Sequence, residues 1–342
     1  MLLHEHLENG ADKNPNFPFS EFEGNSLSYQ EANLLSNQLA NKLVSEGLEV
    51  GDRFAFLAKN CTEMAIMYYA ASKVGAVPVP LNYRLADQEW AYIINDSEAK
   101  LIIVKGNEYS DRINQISSEL KNIKKYISIS LDNSIEKFHD FYDWLSDSSN
   151  EKPTLKIHEN DDVYQMYTSG TTGHPKGAVL LQRNVAANIR QYLNSLTLPR
   201  PSRTLLVAPM YHAAAMINMC GCIAIGGTIV IQEDFIPQDV VDCLANEKIT
   251  HTVLVPAMIQ ACLVSVPNVA SNEYNDLDQI HYGASPIAPE TLKKAMDVFK
   301  CKFGQGFGMT ETVAVICLMT PEEHIRAIEE KPDLLKSCGR PA

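Results

Sequence analysis

The sequence predicts an α/β protein in which parallel sheets are covered by helices on both faces. Apolar segments of strand length alternate with helical patterns of about ten to fifteen residues, an order typical of parallel sheets. The composition is that of a globular protein, with 342 residues of which 45% are hydrophobic and 21% charged. At roughly 100–200 residues per domain, this length corresponds to about two lobes. We place them approximately at 1–160 and 161–342 and expect them to interleave.

The first half of the chain begins the alternation. In Tyr29–Glu46 apolar side chains recur at three- and four-residue spacing, which predicts an amphipathic helix ended by Gly47. Val77–Leu81 is predicted to be extended, because each proline disfavours helix at the residue before it. Gly106–Glu159 is rich in Ser, Asn, Asp and Lys, and we predict a mobile excursion there with one strand at Tyr126–Ile129. The other elements predicted in this half are strands at 53–58 and 101–104 and helices at 63–74 and 87–95.

The second half repeats the alternation. Met216–Ile231 is the most apolar stretch, but glycines and Asn218 interrupt it, so it is predicted to be a buried helix, a turn and a strand. No run reaches the ~18–20 apolar residues that a bilayer-spanning helix needs. Strands are predicted at 163–168, 204–208, 228–231, 251–255, 279–282 and 302–305, and helices at 182–196, 213–225, 238–246, 256–263 and 289–299.

Charge and cysteine usage restrict the classes of function. The chain has 29 Lys and Arg against 42 Asp and Glu, and its net charge of −13 argues against nucleic acid or anionic membrane as a partner. The N-terminus lacks the basic start and long apolar stretch of a signal peptide. The eight cysteines form no C-x-x-C pair, so we predict buried free thiols and a cytoplasmic protein. The histidines cluster only at His4 and His6, at a terminus expected to be mobile, and no structural metal site is predicted.

The most informative stretch runs from Tyr167 to Gly177 and reads Y-T-S-G-T-T-G-H-P-K-G. It follows an apolar strand, is predicted to precede a helix, and contains four serine or threonine side chains, three glycines and one lysine. Glycines let backbone N–H groups turn toward an anion, hydroxyls donate to phosphate oxygens, and Lys176 adds positive charge. It is not a Walker A loop, because Pro175 stands where the second glycine is required and a glycine follows Lys176. The pattern predicts a polyphosphate-binding loop, with a flexible surface turn as the alternative.

Four further stretches, together with this loop, carry a resemblance to the acyl-adenylate-forming (AMP-binding) superfamily. Its members include acyl-CoA synthetases, aryl-CoA ligases, luciferases and peptide-synthetase adenylation domains. The resemblance extends over nearly the whole chain and is closest to an acyl- or aryl-CoA ligase. It implies two parallel-sheet subdomains covered by helices in a layered αβαβα arrangement, as in the family's large N-terminal domain. The four stretches are Pro209–His212, similar to P-x-x-H, Tyr282–Pro286, similar to the adenine loop, Gly306–Glu311, similar to Y-G-M-T-E, and Cys338–Pro341, similar to a G-R-P turn.

The resemblance also implies how ATP and Mg²⁺ would be held. Thr310 would donate to the α-phosphate, and Glu311 would ligate Mg²⁺, which prefers oxygen ligands. Phe307 stands where the family usually has a tyrosine stacked on the base, so stacking is kept and a phenolic hydrogen bond is lost. The alternatives without a role in binding are a surface carboxylate for Glu311 and a packing residue of the hydrophobic core for Phe307. The implied nucleotide-binding residues are Thr168, Ser169, Gly170, Thr171, Thr172, Gly173, Lys176, Gly283, Ala284, Ser285, Gly306, Phe307, Gly308, Met309 and Thr310.

An apolar acid is the favoured substrate. Amino-acid-activating members usually carry an Asp in the motif that corresponds to Pro209–His212, and this chain has none there. His212 is interpreted as a pocket-wall residue near the substrate carboxylate, with a satisfied core histidine as the alternative. The catalytic residues implied are Thr310, Glu311, Lys176 and His212. The predicted pocket residues are Tyr211, His212, Ala213, Met216, Val255, Met309 and Val313.

The resemblance implies activation of the acid to acyl-AMP with release of pyrophosphate, then thioester formation with coenzyme A. The family pattern continues beyond Ala342, so we expect a truncated N-terminal adenylation domain that lacks the small C-terminal lid domain and shows little or no turnover. A homodimer is left open. Three alternatives remain: a P-loop kinase or NTPase, disfavoured by the Walker spacing; a non-catalytic nucleotide- or acyl-binding remnant; and an adenylation domain that loads the phosphopantetheine of a carrier protein.

Overall fold

The computed structural model describes residues 1–130, 135, 137–168, 173–196 and 198–342. These residues form two compact units, neither of which is a single stretch of chain. The first unit contains Met1–Asn16 and Tyr29–Ala186, and the second contains Phe17–Ser28 and Ala187–Ala342. The approximate lobes drawn from length at 1–160 and 161–342 stay a prediction about domains.

Helices and strands alternate through most of the described chain. Three short 3₁₀ turns, Ser117–Glu119, Thr310–Thr312 and Pro332–Lys336, complete the regular structure. The helices are α1 (Leu3–Lys13), α2 (Tyr29–Ser45), α3 (Thr62–Val74), α4 (Asp87–Asp96), α5 (Asn107–Ile116), α6 (Phe141–Leu145), α7 (Gln182–Ser195), α8 (Ala213–Ala224), α9 (Pro237–Asn246), α10 (Pro256–Ser265), α11 (Pro289–Phe299) and α12 (Pro321–Glu329). The strands are β1 (Pro18–Phe22), β2 (Asn25–Ser28), β3 (Arg53–Leu57), β4 (Val77–Leu81), β5 (Leu101–Lys105), β6 (Lys125–Ile129), β7 (Phe138–Asp140), β8 (Asp162–Thr168), β9 (Lys176–Leu181), β10 (Arg203–Leu206), β11 (Thr228–Ile231), β12 (His251–Leu254), β13 (Gln279–Gly283), β14 (Lys302–Phe307), β15 (Cys317–Met319) and β16 (Arg340–Pro341).

The first unit contains a five-stranded parallel sheet in the order β4-β3-β5-β6-β7. Its central strands are apolar runs that bury both faces, as strands of a helix-covered parallel sheet do. Helix α3 is buried on all sides, whereas α4 and α5 bury one face each. Strands β8 and β9 form a separate two-stranded antiparallel sheet in this unit.

The second unit contains a nine-stranded sheet in the order β16-β15-β14-β13-β12-β10-β11-β1-β2. Neighbouring strands from β14 to β1 are parallel, and β2, β15 and β16 are antiparallel additions at the two edges. A bidentate ion pair joins β1 to β10, with both oxygens of Glu21 2.8 Å from the Arg203 guanidinium. An apolar cluster that includes Leu254, Ile280 and Phe303 fills the space between this sheet and α9, α10 and α11. The predicted fold class, parallel sheets covered by helices, is confirmed.

Two expectations about order along the chain are wrong. Gly106–Glu159 contains the predicted strand, as β6, but it is not otherwise an excursion, since its described part also forms α5, β7 and α6 and buries Ile113 and Trp144. The N-terminus is likewise helical in α1. His4 is buried there with Nδ1 2.9 Å from the Ser72 hydroxyl. In both cases a few apolar side chains at helical spacing outweigh a polar composition, because they have a neighbouring apolar surface to cover.

A third difference concerns the phosphate loop. The strand at 163–168 was expected to join a parallel sheet and to lead through the loop into a helix. Instead β8 pairs with β9, which begins at Lys176, and α7 follows only after that hairpin. An apolar run such as Lys176–Leu181 is compatible with either a strand or the first turns of a helix, and periodicity does not separate the two.

Two further findings concern the cysteines and the length of the apolar helices. All eight cysteines are free thiols, as predicted, and five are buried, whereas Cys301, Cys317 and Cys338 are partly exposed. Within the described ranges, none of the helices combines the length and apolar character that crossing a membrane requires.

Candidate functional site

Strands β8 and β9 of the first unit flank the glycine-rich stretch in the sequence. Thr168 pairs with Lys176 across the hairpin, and Tyr167 pairs with Gly177. Gly173 has a φ of 108°, a conformation that favours glycine, and among the described residues no atom lies within 4 Å of where a Cβ would stand. The Lys176 side chain is exposed. Ser169, Gly170, Thr171 and Thr172, also predicted to bind nucleotide, lie outside the described residues.

The hairpin is held to helix α4 near the end that carries the loop. The Tyr167 hydroxyl donates to Oδ2 of Asp96 at 2.6 Å and accepts from Nε2 of Gln165 at 3.2 Å. Burial and the Asp96 carboxylate both raise the pKa of Tyr167, so the phenol keeps its proton. Gly177 is required opposite this ring, because a Cβ there would collide with the side chains of Gln165 and Tyr167.

An apolar cavity of about 310 Å³ lies in the second unit, where β12, β13 and β14 end. Ligands of open α/β sheets bind at the carboxyl ends of the strands, so its position fits a substrate site. Of the residues predicted from sequence, nine line it: His212, Ala213, Val255, Gly283, Ala284, Gly306, Gly308, Met309 and Thr310. Tyr211, Met216 and Val313 are buried and are not among its lining residues.

His212 is the residue that caps helix α8. Its backbone is extended, its N–H donates to the Pro209 carbonyl at 2.9 Å, and its carbonyl accepts from the Met216 N–H at 3.1 Å. The side chain is exposed, lines the cavity, and has its ring 4.4 Å from that of Tyr211. His212 therefore lines the cavity and is not a buried core histidine, and its place beside a substrate carboxylate stays a prediction.

The Gly283–Ser285 loop and the end of β14 come together through backbone contacts. Gly283 pairs with Gly306, and a Cβ on Gly283 would overlap the Gly306 carbonyl oxygen. Ala284 has a φ of 64°, in the left-handed region that non-glycine residues seldom adopt. Ser285 and Phe307 are exposed and do not line the cavity.

Thr310 and Glu311 lie in the 3₁₀ turn that follows β14. Gly308 allows the turn, because a Cβ there would overlap the Ala314 carbonyl. Val313 ends it with a φ of 73°, unusual for a β-branched residue, and backbone strain of this kind concentrates at functional sites. Glu311 is exposed. In the described ranges no three His, Cys, Asp or Glu side chains cluster as a metal site. A single exposed carboxylate fits Mg²⁺, which proteins commonly hold through one or two carboxylates together with substrate phosphates.

His281 is a site residue that the sequence reasoning missed. It lies on β13, lines the cavity and is 4% exposed. Its Nε2 is 3.0 Å from Oε1 of Gln279, whose Nε2 in turn donates to Asp278 at 2.8 Å. Burial, with a contribution from His324, lowers the pKa of His281 to about 4, so the imidazole is neutral near pH 7. The apolar neighbours of His281 in the sequence gave no signal that its ring faces a cavity.

The helix-covered parallel sheets, the glycine-rich hairpin and the cavity at the strand ends are features of an adenylate-forming type of α/β enzyme. The chain belongs to the AMP-binding enzyme family, whose model matches residues 7–342. The inhibitor-bound N-terminal domain of FACL13 from Mycobacterium tuberculosis superimposes with a TM-score of 0.86 at 26% identity, covering 95% of this chain and 80% of that one.

Curated relatives are ligases of acyl and aryl acids. The chain is 30% identical to the fatty acid–[acyl-carrier-protein] ligase ScoC of Streptomyces coeruleorubidus, over 97% of this chain and 62% of the relative. It is 29% identical to the long-chain-fatty-acid–CoA ligase FadD13 of M. tuberculosis, over 88% of this chain and 58% of the relative. The chain thus spans about three fifths of the length of these relatives.

Proposed function

We propose that this chain is the nucleotide- and acid-binding part of a ligase that activates an apolar carboxylic acid with ATP. A substrate carboxylate oxygen attacks the α-phosphorus of ATP, the bond to the β-phosphate oxygen breaks, and acyl-AMP and pyrophosphate result. A thiol then displaces AMP to give a thioester. The observation that carries the proposal is the 310 Å³ cavity at the strand ends, lined by the family's motif residues His212 and Thr310.

The residues around the phosphates would act mainly by neutralising charge. A carboxylate and a polyphosphate are both anions, so the barrier depends on donors placed in advance. In our proposal the Thr168–Lys176 loop holds the β- and γ-phosphates and stabilises the departing pyrophosphate. Thr310 would donate to the α-phosphate, and Glu311 would hold Mg²⁺, which would supply positive charge next to the phosphates. Gly283–Ser285 would pass its backbone against the adenine.

The lining of the cavity supports an acid without a charged tail. Among the described residues that line it, none is Asp, Glu, Lys or Arg. An amino-acid substrate would bring an ammonium group into this space without a counter-ion, which is costly in a site of low dielectric. Aliphatic side chains such as Ile217, Val253 and Leu318 would instead contact a hydrocarbon or aryl tail.

The acceptor thiol is proposed to be coenzyme A. The name of FadD13 gives CoA as its acceptor, whereas the name of ScoC gives an acyl-carrier protein, so the carrier-bound phosphopantetheine is the second candidate. Both acceptors present the same thiol chemistry, and only direct competition between them separates the two.

Pyrophosphate exchange by the intact gene product tests the proposal, across a panel of fatty, aryl and amino acids. We expect acid-dependent exchange with apolar acids and weak exchange with amino acids, followed by thioester formation with CoA. Exchange with amino acids alone would refute the substrate class, and ATP hydrolysis that needs no acid would indicate a kinase or NTPase. On the 342-residue chain alone, calorimetry should detect ATP·Mg²⁺ binding while exchange stays low.

A further inference from the structure

Helix α4 holds the end of the phosphate loop through Tyr92. The Tyr92 ring stacks on the His174 imidazole, with centroids 4.8 Å apart and planes inclined by 23°. The Tyr92 hydroxyl donates to the carbonyl oxygen of Pro175 at 3.3 Å. Because Pro175 directly precedes Lys176, these contacts restrain the backbone from which the Lys176 side chain departs.

A second contact on the same helix restrains the other strand of the hairpin. Asp96 lies one turn after Tyr92 on α4, at the i, i+4 spacing that places two side chains on one face. It accepts the 2.6 Å hydrogen bond from Tyr167 on β8. One helix face therefore contacts both arms of the hairpin, Tyr167 on β8 and His174–Pro175 before β9.

We propose that Tyr92 is a positioning residue for polyphosphate binding. By stacking on His174 and bonding to Pro175, Tyr92 orders the second half of the loop before the nucleotide arrives. Ordering a glycine-containing loop costs conformational entropy, and a loop that is ordered in advance spares the ligand that cost. Tyr92 is not a catalytic residue, since it acts through the loop, and its effect on nucleotide binding rests on the proposed function of that loop.

The two contacts make different, separable contributions. Tyr92→Phe keeps the stack and removes the contacts of the hydroxyl with Pro175 and Asp96, whereas Tyr92→Ala removes the stack as well. An aromatic pair of this kind corresponds to about a three- to tenfold change in an equilibrium constant. We therefore expect Tyr92→Ala to raise the KM for ATP about three- to tenfold with a smaller effect on kcat, and Tyr92→Phe to remain within about threefold of wild type.

A double-mutant cycle with His174 tests whether the effect runs through the loop. If Tyr92 acts by the stack, adding Tyr92→Ala to His174→Ala should raise the KM for ATP by no more than Tyr92→Phe does in the wild-type background, because only the contacts of the hydroxyl remain to be lost. His174→Phe, which restores an aromatic partner, should recover most of the affinity. The matched control is Gln88→Ala, an exposed position one turn earlier on α4, which should leave KM, kcat and the melting temperature unchanged.

The assay is pyrophosphate exchange by the intact gene product, with ATP·Mg²⁺ affinity measured by calorimetry for each variant. Additive effects in the cycle, or an unchanged ATP affinity in Tyr92→Ala, would overturn the positioning role. Failure of the proposed function looks different, because the wild-type protein would then show no exchange with any acid. In that event the calorimetric affinities still decide the role of Tyr92.

Discussion

The side chain of Asn188 hydrogen-bonds to both backbone groups of Val315. Its Nδ2 donates to the Val315 carbonyl at 2.7 Å, and its Oδ1 accepts from the Val315 N–H at 3.2 Å. Val315 lines the apolar cavity and is followed by β15, whereas Asn188 lies on α7 and is 3% exposed. One buried amide thus fixes the wall segment between the Thr310–Thr312 turn and the sheet edge.

Replacement of Asn188 by Ala should destabilise this wall. Two buried backbone groups of Val315 would lose their partners, and each such loss costs about 1–3 kcal/mol. We expect the free energy of unfolding to fall by about 2–4 kcal/mol in denaturant titrations, and the KM for the acid to rise. Arg190→Ala, at an exposed position on the same helix, is the control and should change neither quantity. An Asn188→Ala protein as stable as wild type would show that water replaces the amide.

Two buried histidines should make stability fall in mild acid. Burial lowers the pKa of His281 to about 4 and that of His251 to about 3, whereas an unfolded histidine titrates near 6.5. Between about pH 6.5 and 4 the unfolded state therefore binds more protons than the folded state, and stability declines as the pH falls through this window. Each imidazole contributes at most about 1.4 kcal/mol per pH unit.

The measurement is urea unfolding between pH 8 and pH 4.5 for wild type and His281→Phe. The variant should lose less stability than wild type between pH 6.5 and 4.5, by about 1–2 kcal/mol. Above about pH 7.5 both histidines are neutral in both states, so the pH-dependence of the two proteins should agree there. If the stability of the two proteins fell equally with pH throughout the acid range, His281 would bind a proton as readily in the folded protein as in the unfolded chain.

Lys176→Ala should slow adenylation more than it weakens recognition of adenine. Lys176 is proposed to contact only the phosphates that leave as pyrophosphate, so its loss acts on the charge that develops there. Removal of one such donor corresponds to about a 10²-fold loss in kcat, while the affinity for AMP, which lacks those phosphates, should stay near wild type. Lys176→Arg keeps the charge and should retain more activity. An unchanged rate of pyrophosphate exchange in Lys176→Ala would show that the loop does not bind the phosphates.

Ala213→Leu should shift the acid preference toward smaller substrates. Ala213 lies in the first turn of α8 and lines the cavity, so three added carbons there occupy space that a tail would use. Each methylene that can no longer be buried costs about 0.8 kcal/mol, so long acids should lose more in kcat/KM than short ones. Ala224→Leu, at the far end of the same helix, does not line the cavity and serves as the control. An equal loss for all acids would indicate a general packing defect.

The central strands were predictable because their signal is local. β5 and β11 are apolar runs, and their side chains identify them without reference to a partner. The hairpin β1–β2 was not predicted. In the structure its loop residues Glu23 and Gly24 both have the positive φ typical of a two-residue hairpin loop. Its place in the sheet is set by β11, and Thr228 on β11 donates to the Pro18 carbonyl 210 positions earlier in the chain.

The same contrast applies to the candidate site. The motif residues could be named from sequence, because the spacing within each motif is short and specific. Tyr92 and His281 could not, since nothing in their local sequence differs from that of ordinary core or surface residues. Tyr92 meets Pro175 across 83 positions, and the ring of His281 faces a cavity that exists only after helices α7 and α8 are in place. Contacts of this kind depend on tertiary packing and produce no periodic pattern in the sequence.

Phe17–Ser28 belongs to the second unit, although the chain on either side of it belongs to the first. This arrangement has a practical consequence for dividing the protein into separate pieces. A single cut near Ala186 would release a second half without β1 and β2, leaving the backbone groups of β11 as an open strand edge that can pair with other molecules. During synthesis, the segment that carries β1 must likewise wait until the ribosome has made β11, about two hundred residues later, before its neighbour exists. Neither unit is therefore a contiguous building block, and a version of the second unit suited to separate study would need residues 17–28 rejoined to it through a designed linker.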